Sequence, residues 1–442
     1  MEFEEKPEGS GSLVGENQLD LGEKHQANGK PGASGKAKLS ARQEAYAKCD
    51  LPRKSLNRYT WQEIQRHNQK TDQWLVINRK VYDVTGWADR HPGGRQVLMH
   101  YAGEDATLLS YKKKITNRSV QNEDVFRAMH PDPDIVRLYL KPLLIGELAP
   151  EEPNQERNKN SRLVEDFQEL RRTLETLNMF NANLGFFFLH LAQILILEAL
   201  AWGLSSKWWN NWHFQHHVKT NIYPKDPDID IRPLFVIGDL QAVEYGKNRI
   251  KFFDYEKQHL IFCLVSPFVT PVYFNLGSIL EMCPRRHWED IAWAISFYIR
   301  YFITFGPFYG IFGTMVLIYL VKILESPWIA YVTQMSHISM KISKEENRDW
   351  FSSQVLATCN VEHSFFNDWF TGHVNFQIEH HLFPTMPRHN FHKVAPLVKS
   401  LCAKHGLPYV KKPMLKAFGD ILRALKKYGA LWKEAYCTHP EI

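Results

Sequence analysis

The chain has 442 residues, room for two or three domains, with 13 Trp, 27 Phe and a net charge of +6. A pI near 8.8 suits a basic face toward anionic lipid headgroups or nucleic acid. The aromatic content favours a membrane interface, while a mean hydropathy of −0.37 excludes a mostly embedded protein.

Residues 1–50 are rich in Gly, Ser, Lys and Glu and read as a disordered tail, without the apolar core of a cleaved signal peptide. Order begins near Leu56. A helix start at Trp61 and Ile64 precedes two strand-like runs, Trp74 to Ile77 and Val81 to Val84, around the turn Asn78-Arg79-Lys80. Next comes His91-Pro-Gly-Gly94, where Pro92 and the glycines permit a sharp turn that aims the imidazole. Residues 108–123 are mostly polar and read as an insertion, and the polar stretch 151–162, with Pro153, reads as a linker.

Apolar segments follow. Leu184 to Leu204 holds no Lys or Arg and is long enough to cross a hydrocarbon core of about 30 Å, though His190, Gln193 and Glu198 lie within it. Leu260 to Leu280 is a cleaner candidate span. Ile291 to Leu324 is too long for one straight crossing, and Gly306-Pro307 marks a kink or an interfacial entry. The six cysteines (Cys49, Cys263, Cys283, Cys359, Cys402, Cys437) form no CxxC pair and read as reduced thiols in a cytosolic setting.

The chemistry sits in histidines. His213-Phe-Gln-His216-His217 places three imidazoles at i, i+3 and i+4, one face of a helix, where they can converge on a metal. Gln377-Ile-Glu-His380-His381 repeats that spacing with glutamine in the first place. Imidazole suits iron, and two such faces suit a pair of ions. His337 and His373 are further candidates, either as ligands or as buried histidines hydrogen-bonded to neighbours. His363, His389, His392 and His405 read as ordinary surface or core residues.

HPGG at 91–94, with its flanking strand-like runs, resembles a cytochrome b5 domain, which implies haem b held between His91 and His130. Here the two are 39 residues apart, wider than in family members, because of the insertion. The two histidine motifs, with Trp208-Trp-Asn210, Lys225-Asp-Pro-Asp228, Gly372-His-Val-Asn-Phe376 and His381-Leu-Phe-Pro384, resemble the second and third histidine boxes of membrane acyl desaturases. Gln377 in the third box is the mark of the front-end group fused to cytochrome b5. The resemblance runs from about Leu56 to the C terminus.

It implies an α+β cytochrome b5-like haem domain (51–148), a linker and amphipathic lead-in (149–183), and a mainly α-helical integral membrane di-iron desaturase domain (184–442). It implies two non-haem irons held by His213, His216, His217, Gln377, His380 and His381, with His337 and His373 as added candidates. It also implies delta-6 or delta-5 desaturation of a polyunsaturated fatty acyl-CoA with O2. Electrons would come through the haem from a separate NAD(P)H-cytochrome b5 reductase, consistent with the lack of a GxGxxG fingerprint. The expected location is the endoplasmic reticulum membrane, multi-pass, in contact with membrane lipid, with the soluble parts cytosolic; no nucleic-acid partner is expected.

One family feature is missing. The first histidine box, HDxxH, has no counterpart between Pro131 and Trp212, where His190 is the one histidine. A segment is absent near 202–207, with a transmembrane pass in it. Two irons need roughly eight to ten ligands, and the candidates above number eight. A lone crossing by 184–204 would also place the haem domain and the histidine boxes on opposite sides. That leaves open a segment 184–204 that lies in the interface or re-enters. It also leaves open a catalytically impaired isoform that binds haem or associates with a full-length desaturase. A sphingolipid desaturase or hydroxylase is a further alternative.

Overall fold

The computed structural model describes residues 57–106, 128–130, 133–153, 161–188, 205–344 and 348–438. The tail 1–50, the insertion 108–123, His190 and the segment 189–204 lie outside the described residues.

The front end is a five-stranded sheet of β1 (Asn57–Tyr59), β2 (Asn68–Gln69), β3 (Asp72–Ile77), β4 (Lys80–Asp83) and β5 (Leu144–Leu148). Its order is β1-β5-β4-β3-β2, with β1 parallel to β5 and the other pairs antiparallel. Asn78 and Arg79 close the β3–β4 hairpin with φ of 53° and 60°. Two left-handed residues give a tight loop whose twist matches the strands. Arg79 is held there by its guanidinium, which donates to the carbonyls of Ala149 (2.7 Å) and Glu152 (3.1 Å). Strand alternation sends Val76 and Val81 to one face, against Trp61 and Ile64 of α1 (Trp61–Ile64). Leu75, Ile77 and Tyr82 go to the other face.

Helices α2 (Arg95–Met99) and α3 (Pro133–Leu140) complete this part, and α4 (Ser161–Thr176) leads out of it. The front end does not stand apart. Its Tyr101 and Ala128 belong to one buried core with Leu163 and Phe167 of α4 and with Val218, Phe351, Ile378 and Phe383 from the rest of the chain.

That rest is helical: α5 (Ser206–Val218), α6 (Asp239–Lys247), α7 (Gln258–Val265), α8 (Asn275–Arg285), α9 (Trp288–Gln334), α10 (Trp350–Ala357), α11 (Phe365–Thr371), α12 (Gln377–Leu382), α13 (Phe391–Lys404) and α14 (Met414–Thr438). Among the described residues, Tyr255–Arg285 and Trp288–Gln334 are long and apolar enough to cross a bilayer.

Both stretches differ from the sequence expectation in shape. The first is bent: 3-10 and π turns at 266–274 separate α7 from α8. Both of its ends return to the polar body of the chain. Gln258 donates to Leu425 O (2.9 Å), while Ser205 N donates to Ser278 Oγ (2.7 Å) and Asn211 to Glu281 (3.4 Å). The second is a hairpin. Its break falls at Gly310 (φ 67°, ψ −179°), three residues beyond Pro307, in a conformation open to glycine alone. The arms fold back so that Phe297 and Tyr301 meet Ile318. Each arm, at 1.5 Å per residue, measures about 33 Å or slightly more. Phe312 at the turn is 83% exposed, as are most of Phe308 and Ile311.

Candidate metal centre

Helix α5 is set by its first residues. Ser205 caps it, accepting from Trp208 N (3.0 Å), and gives its own hydroxyl proton to the buried Asp290. The 3.6-residue period then brings His213, His216 and His217 to the inner face. Helix α12 has six residues, yet it presents Gln377, His380 and His381 together. It is fixed from outside, since Asn360 accepts from Ile378 N (2.8 Å) and donates to the buried Glu379 (2.8 Å). Tyr409 donates to the other oxygen of Glu379 (2.8 Å), whose pKa burial pushes up to about 7.

The histidines from the two motifs meet in two clusters. In the first, His217 Nε2 lies 3.1 Å from both His213 Nε2 and His380 Nε2. In the second, the ligand atoms of His216, His337 and His381 lie within 4.8 Å of one another. Gln377 joins it, its amide 2.9 Å from His337 Nε2 and 3.3 Å from His381 Nε2. The clusters touch where His217 stacks on His381, ring centroids 4.2 Å apart. His337, just past the end of α9, is placed by Asn221, which donates to the carbonyls of His337 (3.1 Å) and Ala357 (3.2 Å).

His373 joins neither cluster. Its φ of 66° after the left-handed Gly372 turns it toward Asp368, 4.0 Å away, and the ring of Phe186.

Sequence reasoning did not assign roles to the groups that hold these rings. Asp226, 0% exposed, faces His216 Nδ1 with both oxygens at 3.0 Å, with Asp228 at 3.6 Å. Gln354 and Thr220 each lie 3.1 Å from His381 Nδ1. Asp226 and Asp228 were visible within the Lys225-Asp-Pro-Asp228 run; Gln354 sits in a helix with no motif around it.

The donor set fits a metal. His217 Nε2 carries either one proton or one lone pair, and cannot satisfy two facing nitrogens at once. A cation between them accepts lone pairs from all three. Burial, then the neighbouring rings, holds His213, His217, His337 and His381 well below the usual histidine range, and burial takes His380 down to about 4. Neutral imidazoles are the ligating form. His216 differs: burial opposes its charged form, but Asp226 and Asp228 outweigh this and raise it to about 9. The Gln377 amide, turned over, offers Oε1 where its nitrogen stands.

At the front end, the rings of His91 and His130 have centroids 6.0 Å apart. Two imidazoles bound to one ion, at bond lengths near 2 Å, put their centroids about 6 Å apart, so the pair fits opposite faces of a haem. Burial, then His130, lowers His91 to about 4 and keeps it neutral. The loop that carries His91 rests on α5. A Cβ on Gly94 (φ +80°) would stand 1.9 Å from Asn211 Oδ1, and one on Gly93 would stand 3.5 Å from Phe214. Phe214 is the residue after His213.

Comparison with known proteins identifies the two parts of the chain. Residues 178–413 match the fatty acid desaturase family model, and residues 60–149 match the cytochrome b5-like heme/steroid binding domain. The mouse fatty acid desaturase 2-like protein FADS2B is 60% identical over 501 aligned positions, covering 99% of this chain and 100% of the relative. The human protein of that description is 59% identical over 500, with the same coverage. Cytochrome b5 of Ostreococcus tauri virus 2 is a solved structure with 30% identity over 20% of this chain and 94% of its own, at a TM-score of 0.16.

Fold and site thus define an oxidoreductase class in which a haem-binding front end is fused to a helical fatty acid desaturase domain. The chain belongs to the cytochrome b5-fused front-end fatty acid desaturase family. Its domains imply haem binding at the front end, iron in the desaturase part, and a fatty acyl substrate. Since 501 aligned positions exceed the chain's 442 residues, at least 59 positions of the mouse alignment carry no residue of this chain.

Proposed function

We propose that this chain is a front-end desaturase of polyunsaturated fatty acyl-CoA, of delta-6 or delta-5 type, working with O2 at the endoplasmic reticulum membrane. The convergence of His213, His216 and His217 with His337, Gln377, His380 and His381 carries this reading. Those residues would hold two irons, and His91 with His130 would hold haem b. Bound iron supplies the O2 chemistry that removing hydrogens from unactivated methylenes requires, and bound haem supplies single electrons.

The chain's own residues do the positioning. Asp226 orients His216, Gln354 and Thr220 orient His381, and Asn221 fixes the segment that carries His337. The contact of the Gly93-Gly94 turn with Phe214 and Asn211 sets the haem-ligand loop on α5, the helix of the second histidine box, a short route for electrons from the chain's own haem domain. A separate NAD(P)H-dependent reductase would reduce that haem. In the membrane, the α9 arms would cross twice with the Gly310 turn far from the histidines, and Tyr255–Arg285 would lie along the interface.

A second reading is an impaired isoform that binds haem or associates with a full-length desaturase. The observation favouring it is the first cluster, which has three histidines among the described residues and no partner from an HDxxH box. Yeast expressing the full chain and fed linoleic or eicosatrienoic acid tests the two. A new double bond on the carboxyl side of an existing one supports the desaturase. Good expression with no new product removes it and leaves the isoform.

A further inference from the structure

We propose that the two histidine clusters are unequal metal sites. The His216/His337/His381/Gln377 cluster retains one transition-metal ion, and the His213/His217/His380 cluster exchanges a second, so the chain passes between one-metal and two-metal forms as free metal varies. This rests on reading the clusters as metal sites and deepens it into regulation of that site by metal supply.

The donor count differs first. The retaining cluster gathers three imidazoles and the Gln377 amide, a four-donor set. The exchanging cluster gathers three imidazoles. Between Pro131 and Trp212 the sequence has no HxxxH pair to add to it. His190, the one histidine there, lies outside the described residues.

The groups behind the rings differ as well. His216 Nδ1 is gripped by both oxygens of Asp226, which is itself locked by Asn221 N (2.7 Å) and Asp228 N (2.9 Å). His381 Nδ1 faces Gln354 Oε1 and Thr220 Oγ1. In the exchanging cluster no ring has a carboxylate or amide partner among the described residues. His217 Nδ1 is buried without a hydrogen bond, as is His337 Nδ1 in the retaining cluster, so the difference lies in His216 and His381. His213 stacks on Trp209 (centroids 5.2 Å, 24°), and His380 packs edge-on to Phe391 (6.0 Å). Aromatic packing limits a ring's tilt but does not choose which nitrogen carries the proton. Partners that do so are worth about 10- to 100-fold in metal affinity, so the two dissociation constants should differ at least tenfold.

The test uses the full chain with haem in detergent micelles, stripped of non-haem metal and dialysed against cobalt(II), with bound cobalt counted by elemental analysis. Cobalt keeps haem iron out of the count. The expected result is biphasic binding, with one ion kept through desalting and a second at least tenfold weaker. His213→Ala should remove the weak class and keep the retained ion, and His381→Ala should do the reverse. Two ions of one affinity, no bound ion, or a retained ion lost in His213→Ala and kept in His381→Ala would overturn the proposal. So would loss of the weak class in His190→Ala, since that would supply the missing fourth donor. The unsubstituted chain decides the main point without any variant. A chain that makes no product in yeast but shows two classes refutes the proposed function alone; one that makes product with two equal sites refutes this inference alone.

Discussion

Asp226→Asn is the sharpest perturbation of the site because it keeps the shape and removes the charge. Asp226 is fully buried, so no solvent screening discounts its effect. It holds His216 at about 9 against an ordinary value near 6.5. At 1.36 kcal/mol per unit, positive charge on that ring is favoured by about 3 kcal/mol net of the opposing cost of burial, and Asp226, which lies closer than Asp228, supplies the larger part of the attraction. A metal ion bound at Nε2 feels the same field. An asparagine oxygen can still accept from His216 Nδ1. Its NH2 group must then face either Asn221 N or Asp228 N, leaving one buried donor unpaired at about 1–3 kcal/mol.

The expected outcome is a 10- to 100-fold weaker retained metal ion, read by dialysis, together with a lower melting temperature in the metal-free chain. Asp239→Asn serves as control, since that exposed carboxylate pairs with Lys427 at the surface. Retained-metal affinity equal to the parent chain in Asp226→Asn, with a lower melting temperature alone, would refute the account of Asp226 as the group that tunes His216.

Three further outcomes follow from the geometry. Gly94→Ala should cost about 1–3 kcal/mol from its left-handed backbone and displace Asn211; hydrogen exchange over 206–214 should rise while haem absorbance persists, and unchanged exchange would count against direct contact between the loop and α5. Ser205→Ala removes the α5 cap, about 1 kcal/mol, and strips a buried partner from Asp290, about 1–3 kcal/mol more; a thermal melt of the full chain should show a drop of several degrees. For pH, His213, His217, His337, His380 and His381 have folded values below the unfolded 6.5 or so, so their contribution is complete above 6.5 and drains as pH falls. His216 runs the other way, complete below 6.5 and lost as pH rises through about 9. With five groups against one, the metal-free chain should melt lower at pH 5.5 than at 7.5, and an equal or higher melt would contradict the burial of neutral rings.

What was legible in the sequence is what local periodicity encodes. Three residues at i, i+3 and i+4 must share a helix face, so the inner faces of α5 and α12 could be read from HFQHH and QIEHH. The β3–β4 hairpin was legible from two apolar runs around Asn78, because a tight turn needs a residue that tolerates positive φ. The ring-holding groups were not. Gln354 and Thr220 reach His381 from elements 27 and 161 residues away, a relation that tertiary packing alone creates. His373 lies near α12 in sequence, yet one left-handed turn at Gly372 and His373 points it elsewhere. The break in α9 falls at Gly310 and not at Gly306-Pro307 for a comparable reason. A proline within a long helix distorts it, but reversing direction needs a backbone conformation that only glycine takes up.

The same hairpin answers the difficulty that a lost transmembrane pass raises. The haem-ligand loop touches α5, and α5 touches α12, so both must lie on one side of any bilayer. Between α5 and α12 the chain must therefore cross an even number of times. Read as straight spans, Leu260–Leu280 and Ile291–Leu324 would make the count depend on how the second one bends. Tyr255–Arg285 has both ends tied to the polar body, so on the proposed placement it contributes no crossing. On the same placement Trp288–Gln334, which doubles back at Gly310, would contribute two. Ser326 Oγ accepts from Thr270 N (2.9 Å) and Lys322 donates to Asn275 (3.1 Å), which pins the returning arm to the bent helix and sets the height at which His337 emerges. The histidines of three distant segments can then meet without help from a pass upstream of Ser205. It is the number of metal donors, and not the side of the membrane on which they lie, that the shortened chain puts at stake.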